Sequence, residues 1–247
     1  MSNNFSIHIW TSDVNMVCLP AACYLFNKFW PSIQNVKILG YQKPNFDLPE
    51  NFEFISLGVQ RGPKKWSNDM IDFYKNDDCD YFYSIWEDAF ILKNVNPSII
   101  DLANITIEND PNFFKFNLTA DVSSRKHIVR KTFENYDLIT ATQDSAYRFS
   151  TQHCIWNKKL FLENLEIDQT PWDFELNNKK SMHNGLNIYS TKRQYAVYMG
   201  HLYKSGKKRE KWYDCVYGIN GNNTHKVGGL DNETINFIEN NGWVPEI

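Results

Sequence analysis

The sequence predicts an α/β protein with a mixed, mainly parallel sheet and helices on both faces. Strand-like and helix-like segments alternate as β-α-β-β-α-β over residues 5–86, an alternation typical of mainly parallel sheets. The segment Tyr81–Trp86 is a nearly continuous apolar and aromatic run, as expected of a central strand buried on both faces. The 247 residues are 42% hydrophobic, enough for a sizeable core, and we interpret residues 1–247 as a single domain.

The elements before the central strand follow from periodicity and from helix-start residues. Residues 5–10 alternate and predict the first strand. The helix predicted over residues 19–29 has Pro20 in its first turn, where proline is tolerated. Ser67 is a candidate N-cap for the second helix. Two further strands are predicted between these helices, over residues 36–40 and 52–57.

The remainder of the chain continues the alternation. Asn, Thr or Asp before an apolar periodic segment predicts a helix start, and Pro suits the first helical position. The predicted helices begin at Asn96, Asn157, Thr170 and Asp231, and the predicted strands cover residues 113–118, 138–141 and 194–199.

Composition excludes several classes of protein. The formal charge of −3 gives no global basic field for nucleic acid. The five cysteines are scattered and form no C-x-x-C pair, which argues against a disulfide framework or a zinc knuckle and for a reducing compartment. The N-terminus lacks the pattern of a signal peptide, and the apolar stretch over residues 14–26 is too short to span a bilayer. We therefore expect a cytoplasmic protein without a transmembrane segment, of undetermined oligomeric state.

Two carboxylates, Glu87 and Asp88, directly follow the predicted central strand. Burying such a pair is costly unless a positive group lies beside it. Ligands of open α/β sheets bind beyond the carboxyl ends of the strands, and carboxylates suit hard divalent cations. The pair therefore predicts a site for a divalent cation and, through it, a diphosphate. The alternative is an acid pair that water or the next helix start caps.

Four features of the sequence occur in the same order in one group of proteins. They are the turn Thr11-Ser12-Asp13, the helix start Trp66-Ser67, the pair Glu87-Asp88, and the segment over residues 147–157 followed by Pro171-Trp172-Asp173-Phe174-Glu175. In these features residues 5–202 resemble the GT-A glycosyltransferases, in particular small uncharacterised members from polysaccharide gene clusters and from large viruses or phages. One departure is that Trp86 stands where a strict Asp-x-Asp motif has its first acid.

The resemblance implies a GT-A-like (Rossmann-like) fold and a transfer of sugar from a nucleotide donor, such as a UDP-sugar, with Mn²⁺ or Mg²⁺. It implies that Asp88 is a direct metal ligand and that Glu87 is a metal ligand or a partner of the ribose. His201 would be a third metal ligand or a hydrogen-bond donor to a phosphate. The nucleoside end would be lined by Thr11, Ser12 and Asp13, with Trp66 or Ser67 nearby.

An inverting transfer also needs a base to accept the proton of the acceptor hydroxyl. Asp173 and Glu175 lie at a predicted helix start, where the helix dipole stabilises a carboxylate. Asp173 is closer to the cap, where its carboxylate can be occupied by hydrogen bonds from free backbone N–H groups. Glu175 also matches the acid that recurs in the resembling sequences, and we predict it as the base. The alternative is a first-turn acid that only serves the helix. A retaining reaction would need none.

The acceptor and two alternative functions stay open at this point. Basic runs at residues 125–131 and 204–211 are typical of solvated faces, but they would also suit a diphosphate, an anionic glycan or phage DNA. A nucleotidyltransferase also places acids after a strand, but it usually has a glycine-rich loop with Lys or Arg near the first strand, which residues 11–13 lack. A non-catalytic carbohydrate-binding protein with a decayed site would need no metal.

Overall fold

The structure is a computed structural model that describes residues 5–33, 35–204, 207–215 and 228–244. The strands are β1 (Phe5–Trp10), β2 (Val36–Gly40), β3 (Phe52–Ser56), β4 (Tyr81–Trp86), β5 (Ala89–Ile91), β6 (Phe113–Asn117), β7 (His127–Thr132), β8 (Asp137–Ala141), β9 (Cys154–Asn157), β10 (Asn187–Lys192), β11 (Met199–His201), β12 (Tyr203–Lys204) and β13 (Lys207–Lys208). The helices are α1 (Leu19–Phe29), α2 (Trp66–Asn76), α3 (Pro97–Asn109), α4 (Lys158–Asn164) and α5 (Asn232–Asn240), and a π-helical segment covers Asp173–Asn177.

Within the described residues, nine strands form one mixed sheet in the order β3-β2-β1-β4-β9-β6-β10-β8-β7. Strands β1 to β4 are parallel to their neighbours in that group, and β6 is parallel to β10. Strands β9 and β8 run antiparallel to the strands beside them. The predicted mixed, mainly parallel sheet is confirmed, and β4 lies inside it, between β1 and β9.

Helices cover both faces of the sheet, as predicted. Apolar side chains of α1 and α3 pack on one face, where they meet Tyr83 and Ile85 of β4. Side chains of α2 and α4 pack on the other face, where they meet Phe82. The burial of both faces explains why β4 is apolar almost without interruption.

The helix starts predicted from single residues are mostly confirmed by side-chain caps. Asn96 accepts a hydrogen bond from the backbone N–H of Ser98 at 3.1 Å, Asn157 from Leu160 at 3.1 Å, and Asp231 from Thr234 at 2.7 Å. Each cap satisfies a backbone donor that a helix start leaves free.

Two local predictions are wrong. Helix α2 begins at Trp66 after a 3₁₀ turn over Pro63–Lys65, and the Ser67 hydroxyl accepts from the distant Gln169 N–H at 2.9 Å instead of capping the helix. Residues 194–198 lie outside the strands, and their alternating pattern reflects a buried connection in which the Val197 N–H donates to the Leu118 carbonyl at 2.9 Å.

A small antiparallel pair, β5 with β11, is added beside the carboxyl end of β4. It places His201 opposite Ala89 and Gly200 opposite Phe90. A Cβ atom on Gly200 would lie 2.5 Å from the Trp212 carbonyl oxygen, so this close approach requires glycine. Among the described residues, no helix has both the length and the apolar character needed to cross a membrane. That residues 1–247 form a single domain stays a prediction.

Candidate functional site

The candidate site lies at the carboxyl ends of β1, β2 and β4. β1 and β4 pair in register as far as Trp10 and Trp86, so both strands end at the same level. The Glu87 N–H donates to the Trp10 carbonyl at 3.2 Å, and the Thr11 N–H donates to the Leu39 carbonyl at 2.9 Å. The turn after β1 and the acidic pair after β4 are therefore neighbours, at the edge where such sheets bind ligands.

Glu87 is a buried carboxylate with an unused oxygen. Its side chain is 1% exposed and accepts hydrogen bonds from the Ser12 backbone N–H and the Asn15 side chain. Oε2 has no hydrogen-bond partner among the described residues. Burial, with the charge of Asp88 adding to it, raises the pKa of Glu87 to about 8. A buried carboxylate oxygen without a partner is unfavourable, and a cation at this position would compensate it.

Asp88 is half-buried and is held from the side of β11. Its backbone carbonyl accepts from the Leu202 N–H at 2.9 Å, and its carboxylate accepts from the backbone N–H of Tyr203. Burial raises the pKa of Asp88 to about 6. β11 pairs with β5, and in this pairing His201 lies opposite Ala89, the residue that follows Asp88. Burial, with Arg209 nearby, lowers the pKa of His201 to about 4.

The acidic pair fits a hard divalent cation in the type of its donors. Two adjacent carboxylates, one with an orphaned buried oxygen, are the ligands that Mg²⁺ and Mn²⁺ prefer. In the part of the chain that the structure describes, no group of three or more His, Cys, Asp or Glu side chains is arranged to hold a metal ion. His201 is thus brought to the edge of the site without joining the two carboxylates in a preformed cluster.

The residues predicted for the nucleoside end form a fixed turn and an aromatic cluster. The Asp13 N–H donates to Gln60 Oε1 at 3.1 Å, and Asp13 Oδ1 accepts from the Gln42 N–H at 3.0 Å. The Thr11 hydroxyl donates to the Ser12 carbonyl at 3.3 Å. This turn is therefore joined to the loops that follow β2 and β3.

Trp66 lies mainly in the core. Its ring contacts Trp10 at 5.8 Å and Trp86 at 6.3 Å between centroids. Its buried Nε1 has no hydrogen-bond partner in the described residues.

Glu175 is linked to the carboxyl end of β4 through Thr151. Its carboxylate accepts from the Thr151 N–H, from the Thr151 hydroxyl at 2.6 Å and from the Tyr147 hydroxyl at 2.9 Å. The same Thr151 hydroxyl accepts from Trp86 Nε1 at 2.9 Å. Burial raises the pKa of Glu175, although these hydrogen bonds oppose the rise. The carboxylate is thus near the strand end, with most of its acceptor positions already occupied.

Asp173 serves the start of its helical segment. Its Oδ2 accepts from the Thr170 N–H at 3.0 Å and from the Thr170 hydroxyl at 2.8 Å, and Thr170 Oγ1 accepts from the Asp173 N–H at 3.0 Å. This reciprocal arrangement is a capping box, and it lowers the pKa of Asp173. Asp173 therefore lies in the helix cap, the role that the sequence predicts for it as the alternative to a catalytic base.

A buried polar network beneath this region was not predicted. Lys115 in β6 is 0% exposed, lies 4.7 Å from the Trp156 ring centroid and donates to the Ser150 carbonyl and hydroxyl. The Ser150 hydroxyl donates to Asp121 Oδ2 at 2.6 Å. The available signal was a lone lysine between the phenylalanines of β6, because a lysine is seldom fully buried unless it is paired.

Comparison with known proteins supports the fold. No family model matches the sequence, and no curated protein matches it. Among solved structures, TarS 1–349 from S. aureus has a TM-score of 0.50 at 11% identity, over 78% of this chain and 59% of that one. The chain has a GT-A-like, Rossmann-like fold.

Two further solved structures show weaker similarity. A cytidylyltransferase from Leptospira borgpetersenii has a TM-score of 0.48 at 10% identity, over 99% of this chain and 98% of that one. The galactosyltransferase LgtC, in complex with donor and acceptor sugar analogs, has a TM-score of 0.36 at 11% identity, over 64% of this chain and 59% of that one. At such identities the similarity concerns the fold alone.

Proposed function

We propose that this protein is a glycosyltransferase that moves a sugar from a nucleoside-diphosphate donor to an acceptor hydroxyl with the help of a divalent cation. The observation that carries the proposal is the acidic pair at the end of β4. Glu87 is buried with one carboxylate oxygen unpartnered among the described residues, and Asp88 stands beside it. This arrangement provides the oxygen ligands for a cation at the edge where the fold binds ligands.

Each residue around the pair has a defined part in the proposed reaction. Asp88 and Glu87 hold the cation. His201 approaches from β11 as a third metal ligand or as a hydrogen-bond donor to a phosphate. Thr11, Ser12 and Asp13, with Trp66, bind the nucleoside. A bound Mn²⁺ or Mg²⁺ would offset the negative charge that grows on the diphosphate as the glycosidic bond breaks.

The loop after β1 favours this function over nucleotidyl transfer. Residues 11–18 contain no Gly, Lys or Arg, so this loop lacks both the close backbone approach and the cation that would hold a triphosphate. Glycosyl transfer needs only a diphosphate, which the divalent cation can hold.

A glycan is the acceptor that we propose. In the basic run at residues 125–131, Lys126 pairs with Asp144 at 2.7 Å, Arg130 Nε donates to Thr140 at 3.0 Å and Arg125 lies 5.3 Å from the Tyr147 ring centroid. Asp144 compensates the charge of Lys126, whereas Arg125, Arg130 and Lys131 are exposed cations, so this face suits an anionic glycan. The second run, residues 204–211, lies partly outside the described residues.

A ligand screen tests the proposed function. The thermal midpoint of the protein is measured with a panel of nucleoside diphosphates and nucleotide sugars, each with and without Mn²⁺. A ligand that binds the native state at 100 times its Kd adds about 2.7 kcal/mol of stability, so a cognate donor should raise the midpoint by several degrees, and only with Mn²⁺. CTP and UTP with sugar phosphates are assayed alongside. Nucleotide-sugar formation from them would contradict the proposal in favour of nucleotidyl transfer, and binding of glycans without any donor turnover would indicate a carbohydrate-binding protein.

Replacing each of the two carboxylates of the π-helical segment by its amide tests the predicted base. We expect Glu175→Gln to lower turnover by about 10²–10⁴-fold, because general-base catalysis contributes that much, while donor affinity changes little. Asp173→Asn should leave turnover near the parent value and cost about 1 kcal/mol of stability, because it weakens the capping box. Steady-state kinetics and donor titration measure these effects.

Tyr147→Phe is the control for the possibility that Glu175 only holds its neighbours in place. It removes one hydrogen bond to the carboxylate and leaves the carboxylate itself. If Tyr147→Phe loses as much turnover as Glu175→Gln, Glu175 acts by holding its neighbours and the base lies elsewhere. The anomeric configuration of the product, measured by NMR, must also be inverted for the assignment to stand.

A further inference from the structure

A buried tyrosine–histidine pair lies directly behind residues 87–89, the acidic turn that follows β4. Tyr83 of β4 and His153, the residue before β9, are both 0% exposed. The Tyr83 hydroxyl is hydrogen-bonded to His153 Nδ1, and His153 Nε2 lies 2.8 Å from the Ala89 carbonyl oxygen.

The partners of His153 determine which atoms carry protons. A carbonyl oxygen only accepts, so Nε2 is protonated and donates to Ala89. Nδ1 then offers a lone pair, and the Tyr83 hydroxyl donates to it. Burial lowers the pKa of His153 to about 3, so the neutral ring and the direction of both hydrogen bonds persist at physiological pH.

The Ala89 carbonyl is one of the points that hold the backbone of the acidic turn. The Glu87 N–H is bonded to Trp10 of β1, and the Asp88 carbonyl is bonded to the Leu202 N–H beyond β11. The bond from His153 ties Ala89 to the strand on the other side of β4. Because Ala89 also stands opposite His201, movement of this carbonyl would displace both Asp88 and β11.

We propose that Tyr83 and His153 are positioning residues for the divalent-cation site, holding Asp88 and the strand that carries His201 through the Ala89 carbonyl. This inference rests on the proposed function of Glu87 and Asp88. Neither side chain contacts the ligand, since both lie behind the turn.

A second buried tyrosine–histidine pair, which joins α2 to β1, provides a matched control. His8 Nδ1 lies 2.9 Å from the Tyr74 hydroxyl, and both residues are 0% exposed. Tyr74 also accepts from Trp10 Nε1 at 3.1 Å. This pair meets Trp10 at the indole, whereas Glu87 is bonded to the Trp10 backbone carbonyl, and the Trp10 backbone is held by its pairing in the sheet. Tyr74→Phe therefore removes a comparable buried hydroxyl without loosening the acidic turn.

The experiment compares Tyr83→Phe with Tyr74→Phe. We expect both to lower the urea midpoint, whereas only Tyr83→Phe should weaken Mn²⁺ binding in the presence of a nucleoside diphosphate, by about 10-fold, as removal of an outer-shell partner does. Only Tyr83→Phe should accelerate hydrogen exchange at the Leu202 amide, which is bonded to Asp88. Mn²⁺ titration followed by electron paramagnetic resonance and NMR-detected exchange provide the two readouts.

Substitutions of His153 add a rescue. His153→Leu removes the donor to Ala89 and should weaken Mn²⁺ binding at least as much as Tyr83→Phe, whereas His153→Gln retains an N–H at the Nε2 position and should recover most of the loss. Mn²⁺ affinity and Leu202 exchange at parent values in Tyr83→Phe would overturn the inference, and so would equal changes in Tyr74→Phe. If the parent binds no nucleoside diphosphate with Mn²⁺, the proposed function fails. The exchange comparison then decides by itself whether the pair holds the turn.

Discussion

Asp88→Ala is expected to abolish divalent-dependent nucleotide binding while the protein stays folded. Changes in residues that only support metal ligands already cost 10–100-fold in affinity, so loss of a direct ligand should cost about 100-fold or more. Stability should not fall, because Asp88 is a half-buried carboxylate beside Glu87 and its removal relieves repulsion between like charges. Calorimetric titration of a nucleoside diphosphate with Mn²⁺ measures the binding, and urea unfolding measures the stability.

Asp101→Ala is the control for this experiment. Asp101 is an exposed aspartate on α3, away from the strand ends, and its removal should change neither quantity. Nucleotide binding by Asp88→Ala that is as tight and as Mn²⁺-dependent as that of the parent would show that the cation is held elsewhere.

Lys115→Met should destabilise the protein by about 3–5 kcal/mol, the cost of removing one partner from a buried set of charges. Lys115 lies near two buried or partly buried carboxylates, Asp121 and Glu175, whose charges favour its charged form. Burial opposes that form and lowers the pKa of Lys115, and it raises the pKa of Asp121. Without the lysine, the Ser150 carbonyl loses its ammonium donor and both carboxylates lose a compensating charge. Urea unfolding with analysis of the midpoint and slope measures the effect.

The double variant Lys115→Met/Asp121→Asn separates charge compensation from packing. If uncompensated charge dominates, the double variant should be more stable than Lys115→Met alone. The exposed Lys159→Met on α4 should change stability by less than about 0.5 kcal/mol. A Lys115→Met protein within 1 kcal/mol of the parent would mean that the buried network contributes little to the fold.

Features encoded within a few residues could be predicted from the sequence. The apolar run at 81–86 determined that β4 is buried on both faces, since each of its side chains must meet a core. The helix starts at Asn96, Asn157 and Asp231 follow from the way these side chains satisfy free backbone N–H groups two or three residues later. The position of Glu87 and Asp88 at the sheet edge follows directly from the end of β4.

Features that depend on distant partners could not be predicted. Ser67 has the chemistry of a cap, but its hydroxyl is occupied by the Gln169 N–H. The alternation over residues 194–199 has the period of a strand, although burial of a connecting segment produced it. Lys115 looks like a misplaced charge in an apolar strand until Ser150 and Asp121 are brought beside it.

By itself, the sequence determined the mainly parallel α/β architecture, the buried strand and the acidic pair at its end. These depend on side-chain periodicity and on contacts between near neighbours, which are written in consecutive residues. The tertiary structure decided that His201 stands beside the acidic turn, that Glu175 reaches Trp86 through Thr151, and that Tyr83 and His153 lie behind Ala89. Each of these contacts joins residues far apart in the chain, because the register between strands, which no local pattern encodes, places them together.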